Sequence, residues 1–119
     1  MCTSVRYKNN DTYFGRNLDV EFSFCEQVAV TPRNRLFHLR NGKDFRNKFG
    51  LIGIAAVVSD YPLYYEAANE KGLAAAGLNF PSNAVYKEPK DGCDNIAPFE
   101  FLPYVLGRAS NVEEARKII

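Results

Sequence analysis

Residues 49–80, FGLIGIAAVVSDYPLYYEAANEKGLAAAGLNF, limit the fold more than any other stretch of this chain. The opening FGLIGIAAVV is rich in β-branched residues and too short for a confident helix, so it reads as a buried strand. YYEAANEKGLAAAGLNF then divides around NEKG, a type I turn with glycine at its fourth position. That predicts a hairpin with strands near 64–68 and 73–79. Ala74, Ala75, Ala76 and Gly77 on the second strand leave room for something packed closely over it.

Strands dominate the region before this hairpin as well. CTSVRY at 2–7 alternates as a strand, KNND at 8–11 has turn chemistry, and TYFGRNLDVEF reads as the return strand. Gly15 is expected to mark a bulge or a close backbone approach. EQVAVTPRN predicts another strand, stopped by Pro32. Residues 33–48 are polar and basic, with Arg33, Arg35, Arg40, Lys43, Arg46 and Lys48 against Asp44. They would be the best interface for an acidic partner if the chain were a small interaction domain.

After Pro81 the character changes. Residues 82–95 are loop-like, and Asp94 or Asn95 is placed to cap a helix over 97–109, with Pro98 in its first turn and a kink at Pro103. SNVE at 110–113 reads as a capping box opening the helix VEEARKII. Strands followed by helices make an α+β pattern. The final RKII has no cap and nothing evident to pack against, which reads as a helix cut short within a longer protein.

Composition excludes several classes. The 119 residues suit one domain, and 15 Lys+Arg against 14 Asp+Glu give a net charge of +1, which favours neither nucleic acid nor a membrane surface. GLIGIAAVV at 50–58 is too short to span a bilayer, and polar residues fill positions 3–11, where a signal peptide would be apolar. Cys2, Cys25 and Cys93 are odd in number and form no CxxC pair, which argues against a disulfide framework and for a reducing cytoplasm. One histidine, His38, in a polar stretch reads as a solvated loop residue, and no metal motif accompanies it.

Cys2 is the residue with chemistry to offer. Were Met1 removed, Cys2 would carry a thiol and a free α-amino group together. The thiol, with a pKa near 8.5, is only ~3% ionised at pH 7, and the amine, at about 7.7–8.0, is a weak base poised near neutrality. Arg16 and Asp19 lie in the strand expected to pair with that of Cys2. A guanidinium near the sulfur would favour thiolate, and Asp19 could hold the ammonium. Taken alone, Arg16 and Asp19 read first as a surface ion pair worth under ~1 kcal/mol.

MCTSV, FGRNLDVEFSF, DYPLYYEAANEKGL and AAGLNFP together resemble the choloylglycine hydrolase family of N-terminal nucleophile amidases, most closely its bile salt hydrolases. The resemblance implies an αββα sandwich, of which residues 1–119 would form a single N-terminal segment. It makes Cys2 the nucleophile and its α-amino group the general base, puts Arg16 beside the thiol and Asp19 on the ammonium, and gives the Asn79 backbone N–H to an oxyanion hole. Leu18, Phe24 and Tyr65 are the expected contacts of an apolar substrate cleft. The implied reaction cleaves the amide of glycine- or taurine-conjugated bile salts without cofactor, in a cytoplasmic homo-oligomer, a tetramer by resemblance. The family's second oxyanion asparagine and a further active-site arginine would lie beyond Ile119. Penicillin V acylase is the rival substrate reading, and Asn79 followed by Phe80 leans toward bile salts. A gene product of only 119 residues would be a non-catalytic remnant with exposed sheet edges.

Overall fold

The computed structural model describes residues 2–80 and 82–119; Met1, whose removal is expected, and Pro81 of AAGLNFP lie outside the described residues. Among the described residues, eight strands precede two short helices. β1 (Thr3–Asn9) and β2 (Asp11–Asn17) form the expected hairpin. Asn10 turns it with a left-handed φ of 56°, which asparagine tolerates. Val5 pairs squarely with Gly15, and a Cβ on Gly15 would meet nothing within 4 Å. The bulge or close approach expected at Gly15 is therefore absent, because the neighbouring face is open.

The centre of the molecule is an antiparallel sheet. It is built from β3 (Gln27–Thr31), β6 (Leu51–Val58), β7 (Tyr61–Asn69) and β8 (Ala74–Ala76), in the order β3-β6-β7-β8. The NEKG turn closes as expected, with Gly72 N–H donating to the Asn69 carbonyl at 2.9 Å and Gly72 at φ 82°. One irregularity matters for the site. Ile54 pairs with Glu66 and Ala55 with Tyr64, which leaves Tyr65 as an extra residue on β7. Such a bulge re-aims the side chains beside it. Gly53 permits it: a Cβ there would lie 2.0 Å from the Glu66 carbonyl oxygen.

One sheet face is buried. Leu51, Ala55, Tyr64 and Ala67 pack on Leu102 and Leu106, with Ala75 of β8 against the same cluster. The small residues of β8 thus lie under α1 (Phe101–Leu106), as their size suggested. Burying each leucine is worth about 1.5–3 kcal/mol. Tyr64 and Thr31 share a hydroxyl hydrogen bond of 2.9 Å inside this core. Val105, Ala109 and Ala115 form a second cluster, against which Ile118 packs. The closing isoleucines are therefore not both idle, although Ile119 remains exposed.

The basic stretch 33–48 keeps Arg33, Arg40, Lys43, Arg46 and Lys48 exposed but is not an irregular loop. It folds as a small hairpin of β4 (Leu36–His38) and β5 (Asp44–Arg46), stacking Phe37 on Phe45 at 5.0 Å. Arg33 is paired with Glu70, Arg35 with Asp60, and Lys43 with Asp94. Arg46 donates to the Asn34 carbonyl at 2.5 Å. His38 is exposed at the end of β4 and bonds Asp44 at 2.9 Å.

The helical part is shorter than the pattern predicted. A 3-10 turn at Pro98–Glu100 leads into α1. Pro103 sits in the first turn of α1, where its missing N–H would have no helical partner, so it causes no kink. Neither Asp94 nor Asn95 caps this segment. Asp94 accepts from the Tyr104 hydroxyl at 2.5 Å, and Asn95 brackets the Lys90 backbone. Glu100, 1% exposed, takes the capping role by accepting from Ala97 N–H and Arg40 N–H at 2.6 Å each. The second box is displaced by one residue. Asn111 caps α2 (Val112–Ile118) by accepting from Glu114 N–H at 2.9 Å, and Glu114 reaches back to Ser110 N–H at 2.8 Å.

Candidate active site

Cys2 immediately precedes β1, where Thr3 pairs with Asn17. Continuing that register puts Cys2 opposite Leu18, with Asp19 one step further. The Cys2 sulfur lies 3.9 Å from the Asp19 carbonyl oxygen. Asn17 fastens the end of the ladder by accepting from Thr3 N–H at 2.8 Å. The hairpin thus anchors the cysteine end of the chain, as expected.

A cavity of about 880 Å³ opens beside this end. Cys2, Asp19 and Asn79 all line it, so residues far apart in sequence meet there. Its apolar walls are Val20, Phe22, Phe24, Leu78 and Phe80, with Thr3, Ser4, Glu21 and Asn83 supplying polar groups. Phe22 is 71% exposed and Phe80 62%. Large apolar groups left open around a concavity are what an apolar ligand requires.

The walls come from two segments. In the first, Val20, Phe22 and Phe24 follow β2. Glu26 holds the far end of this segment by accepting from the Ser23 hydroxyl at 2.7 Å and Phe24 N–H at 2.9 Å. These bonds, that of Phe24 foremost, hold the Glu26 carboxyl below its ordinary pKa. The second segment follows β8: Gly77 N–H donates to the Tyr65 carbonyl at 2.8 Å, and the chain then releases Leu78, Asn79 and Phe80 into the cavity wall.

Arg16 is buried, its side chain only 3% exposed, so the reading of a surface ion pair does not hold. Its acidic partner is Glu66, whose Oε2 accepts from Nη1 at 3.1 Å, while Nη2 donates to the Gly77 carbonyl at 2.8 Å. Its Nε is buried with no hydrogen-bond partner. Arg16 is not among the described lining residues, and neither are Leu18 and Tyr65. Leu18 is half-buried opposite Cys2, and Tyr65 occupies the bulge, where burial and then Glu26 push its phenol up. Of the expected substrate contacts, Phe24 alone lines the cavity.

Sequence reasoning named Leu18 and Phe24 from LDVEFSF and weighed Phe80 only as a mark of the substrate, but Val20, Phe22 and Glu66 were passed over. A signal for two of them was present. Val20, Phe22 and Phe24 recur at every second position of LDVEFSF, and a period-two reading would have selected all three. Glu66 carried no signal, since its partner is fifty residues away.

Cys2, Cys25 and Cys93 are free, and no group of His, Cys, Asp or Glu among the described residues could hold a metal. No helix of the described residues is long and apolar enough to cross a membrane.

The sequence matches the family described as linear amide C-N hydrolases, choloylglycine hydrolase family, over residues 2–119, and the chain belongs to that family. Its α+β fold is the corresponding part of the N-terminal nucleophile hydrolase fold. The chain is 46% identical to a bile salt hydrolase/transferase of Lactiplantibacillus plantarum over its whole length, which is 37% of that relative. It is 42% identical to one from Bifidobacterium longum subsp. longum, again over its whole length and 39% of the relative. Two variants of the conjugated bile acid hydrolase from Clostridium perfringens superimpose at TM-scores of 0.88 and 0.91, with 35% and 38% identity. In each, 99% of this chain matches 37% of the other.

Proposed function

We propose that this chain supplies the nucleophile side of a cysteine amidase that cleaves the amide bond of glycine- or taurine-conjugated bile salts. The observation that carries this reading is the convergence of Cys2, Asp19 and Asn79 on one apolar cavity, in a chain of the choloylglycine hydrolase family. The chain spans less than two-fifths of the length of the relatives above.

The chemistry follows from the residues. The Cys2 thiolate attacks the substrate carbonyl carbon, and the carbonyl π electrons move onto oxygen. The Asn79 backbone N–H is the donor for that oxyanion, a contribution typically worth a few kcal/mol. The C–N bond then breaks, glycine or taurine leaves with a proton from the Cys2 α-ammonium, and a thioester remains. Water, giving its proton to the same amine, attacks the thioester and frees the bile acid and the thiol. Asp19 holds the ammonium. The aromatic walls of the cavity take the steroid, with Phe24 in contact. Arg16 braces the hairpin that carries the nucleophile against the Gly77 carbonyl, and Leu18 and Tyr65 support the walls from behind. Because two relatives are named hydrolase/transferase, the same thioester delivered to an amine instead of water is a natural second outcome.

A cytoplasmic setting and homo-oligomeric assembly belong to this reading. Three unpaired cysteines support the first, and sedimentation tests the second. The deciding experiment compares glycocholate, taurocholate and penicillin V as substrates for the product of the whole reading frame, alongside its intact mass. Conjugated bile salts should be the faster substrates, with Met1 absent. Turnover of penicillin V alone, or an active protein retaining Met1, would overturn the proposal.

A further inference from the structure

The chemistry above assigns nothing to Glu66, yet Glu66 holds one arm of Arg16. Among the described residues, the β1–β2 hairpin and the sheet that contains β7 and β8 are separate, with no ladder between them. Arg16 crosses that gap. It pairs with Ser4, two residues along from Cys2, and its Nη2 binds the carbonyl of Gly77, two residues before Asn79. One planar fork therefore ties the chain next to the nucleophile to the chain next to the oxyanion donor.

The fork needs a carboxylate. A guanidinium only 3% exposed costs much to bury uncompensated, and its orientation is set by which oxygens its arms meet. Glu66 meets Nη1 at 3.1 Å and is itself aimed by the bulge at Tyr65, which Gly53 makes possible.

We infer that Glu66 is a positioning residue for amide cleavage: by holding Nη1 it directs Nη2 onto Gly77, and so sets the placement of Asn79 relative to Cys2. The inference rests on the amidase reading for its catalytic consequence, but the clamp itself can be tested without substrate.

The test uses the product of the whole reading frame. In Glu66→Ala, kcat for glycocholate should fall about 10- to 100-fold, as small misplacements of reacting groups do, with KM changed by less than about 2-fold. Glu66→Gln keeps an acceptor opposite Nη1 but removes the counter-charge, so it should recover only part of the loss, with kcat at least about 3-fold above that of Glu66→Ala. Exchange of the Gly77 amide hydrogen, now bonded to Tyr65, should quicken more in Glu66→Ala than in Glu66→Gln. If Glu66→Ala does not fold, Glu66→Asp, charged but one methylene short, takes its place. An unchanged kcat, a loss confined to KM, or a Gln variant no better than Ala would overturn the inference. If wild type hydrolyses no conjugated bile salt, the amidase reading fails by itself. Gly77 exchange then decides the clamp, quickening sustaining it and no change overturning it.

Discussion

The sulfur of Cys2 lies 3.9 Å from the main-chain oxygen of Asp19, across the open end of one hairpin. Seventeen residues of chain separate them, and the ladder from Thr3–Asn17 to Asn9–Asp11 brings them together. The register thus puts the proposed nucleophile and the proposed partner of its amine in one place. Replacing the sulfur tests this most directly. Cys2→Ser should lower kcat on glycocholate by at least about 1,000-fold while the fold persists, since losing a nucleophile removes the covalent route. Steady-state rates with a circular-dichroism control check it, and near-normal turnover would remove Cys2 from the chemistry.

Phe22 and Phe24 stand exposed around the cavity in the free protein, so their energetic return comes only when ligand covers them. Phe22→Ala and Phe24→Ala should each raise KM for conjugated bile salts about 10-fold, in line with roughly 1.5–3 kcal/mol for burying a large apolar side chain. The kcat should change little. Neither substitution should lower the melting temperature appreciably.

Gly53 is a steric requirement. Gly53→Ala would drive a Cβ into the Glu66 carbonyl and the Ala67 backbone, neither of which can yield without moving β7. A loss of about 3 kcal/mol in unfolding free energy is expected, the upper range for overpacking. Chemical denaturation reads it directly. A neutral result would mean that β6 and β7 lie further apart than described.

Glu70 gives a pH dependence with a definite sign. The Arg33 side chain foremost, then Gly50 N–H, holds its carboxyl down at about 2, against an ordinary value of 4.5. A carboxylate depressed in the folded state binds its proton later than in the unfolded chain. Its stabilising contribution is therefore complete above pH 4.5 and is lost as pH falls toward 2. Glu70→Gln should flatten that part of the acid unfolding curve and, above pH 5, lower stability by an amount that does not change with pH. An identical acid limb in both proteins would show that the pair contributes nothing.

Local chemistry was readable wherever neighbours in sequence decide the outcome. The Asn69–Gly72 turn, the strand ended by Pro32 and the Asn10 hairpin all rest on backbone preferences of a few adjacent residues. The helical segment was misjudged because the residues offered as caps have other partners, and because the acid that does cap is buried against a distant part of the chain. Glu100 serves both Ala97 and Arg40, and Asp94 is already engaged by Tyr104. In the stretch 33–48 the β4–β5 hairpin went unseen, because its strands are three residues long and its charges find Glu70, Asp60 and Asp94 only in the fold.

By itself the sequence determined the order of the strands outside 33–48 and of the helices after them, the presence of a cysteine with nucleophilic potential at position 2, and the motifs that mark its family. Tertiary structure alone decided which acid accompanies Arg16 and which apolar side chains surround the cavity. Period and turn preference act over a few residues, whereas burying a guanidinium demands a counter-charge from wherever the fold can bring one. Here that was a bulged strand fifty residues downstream.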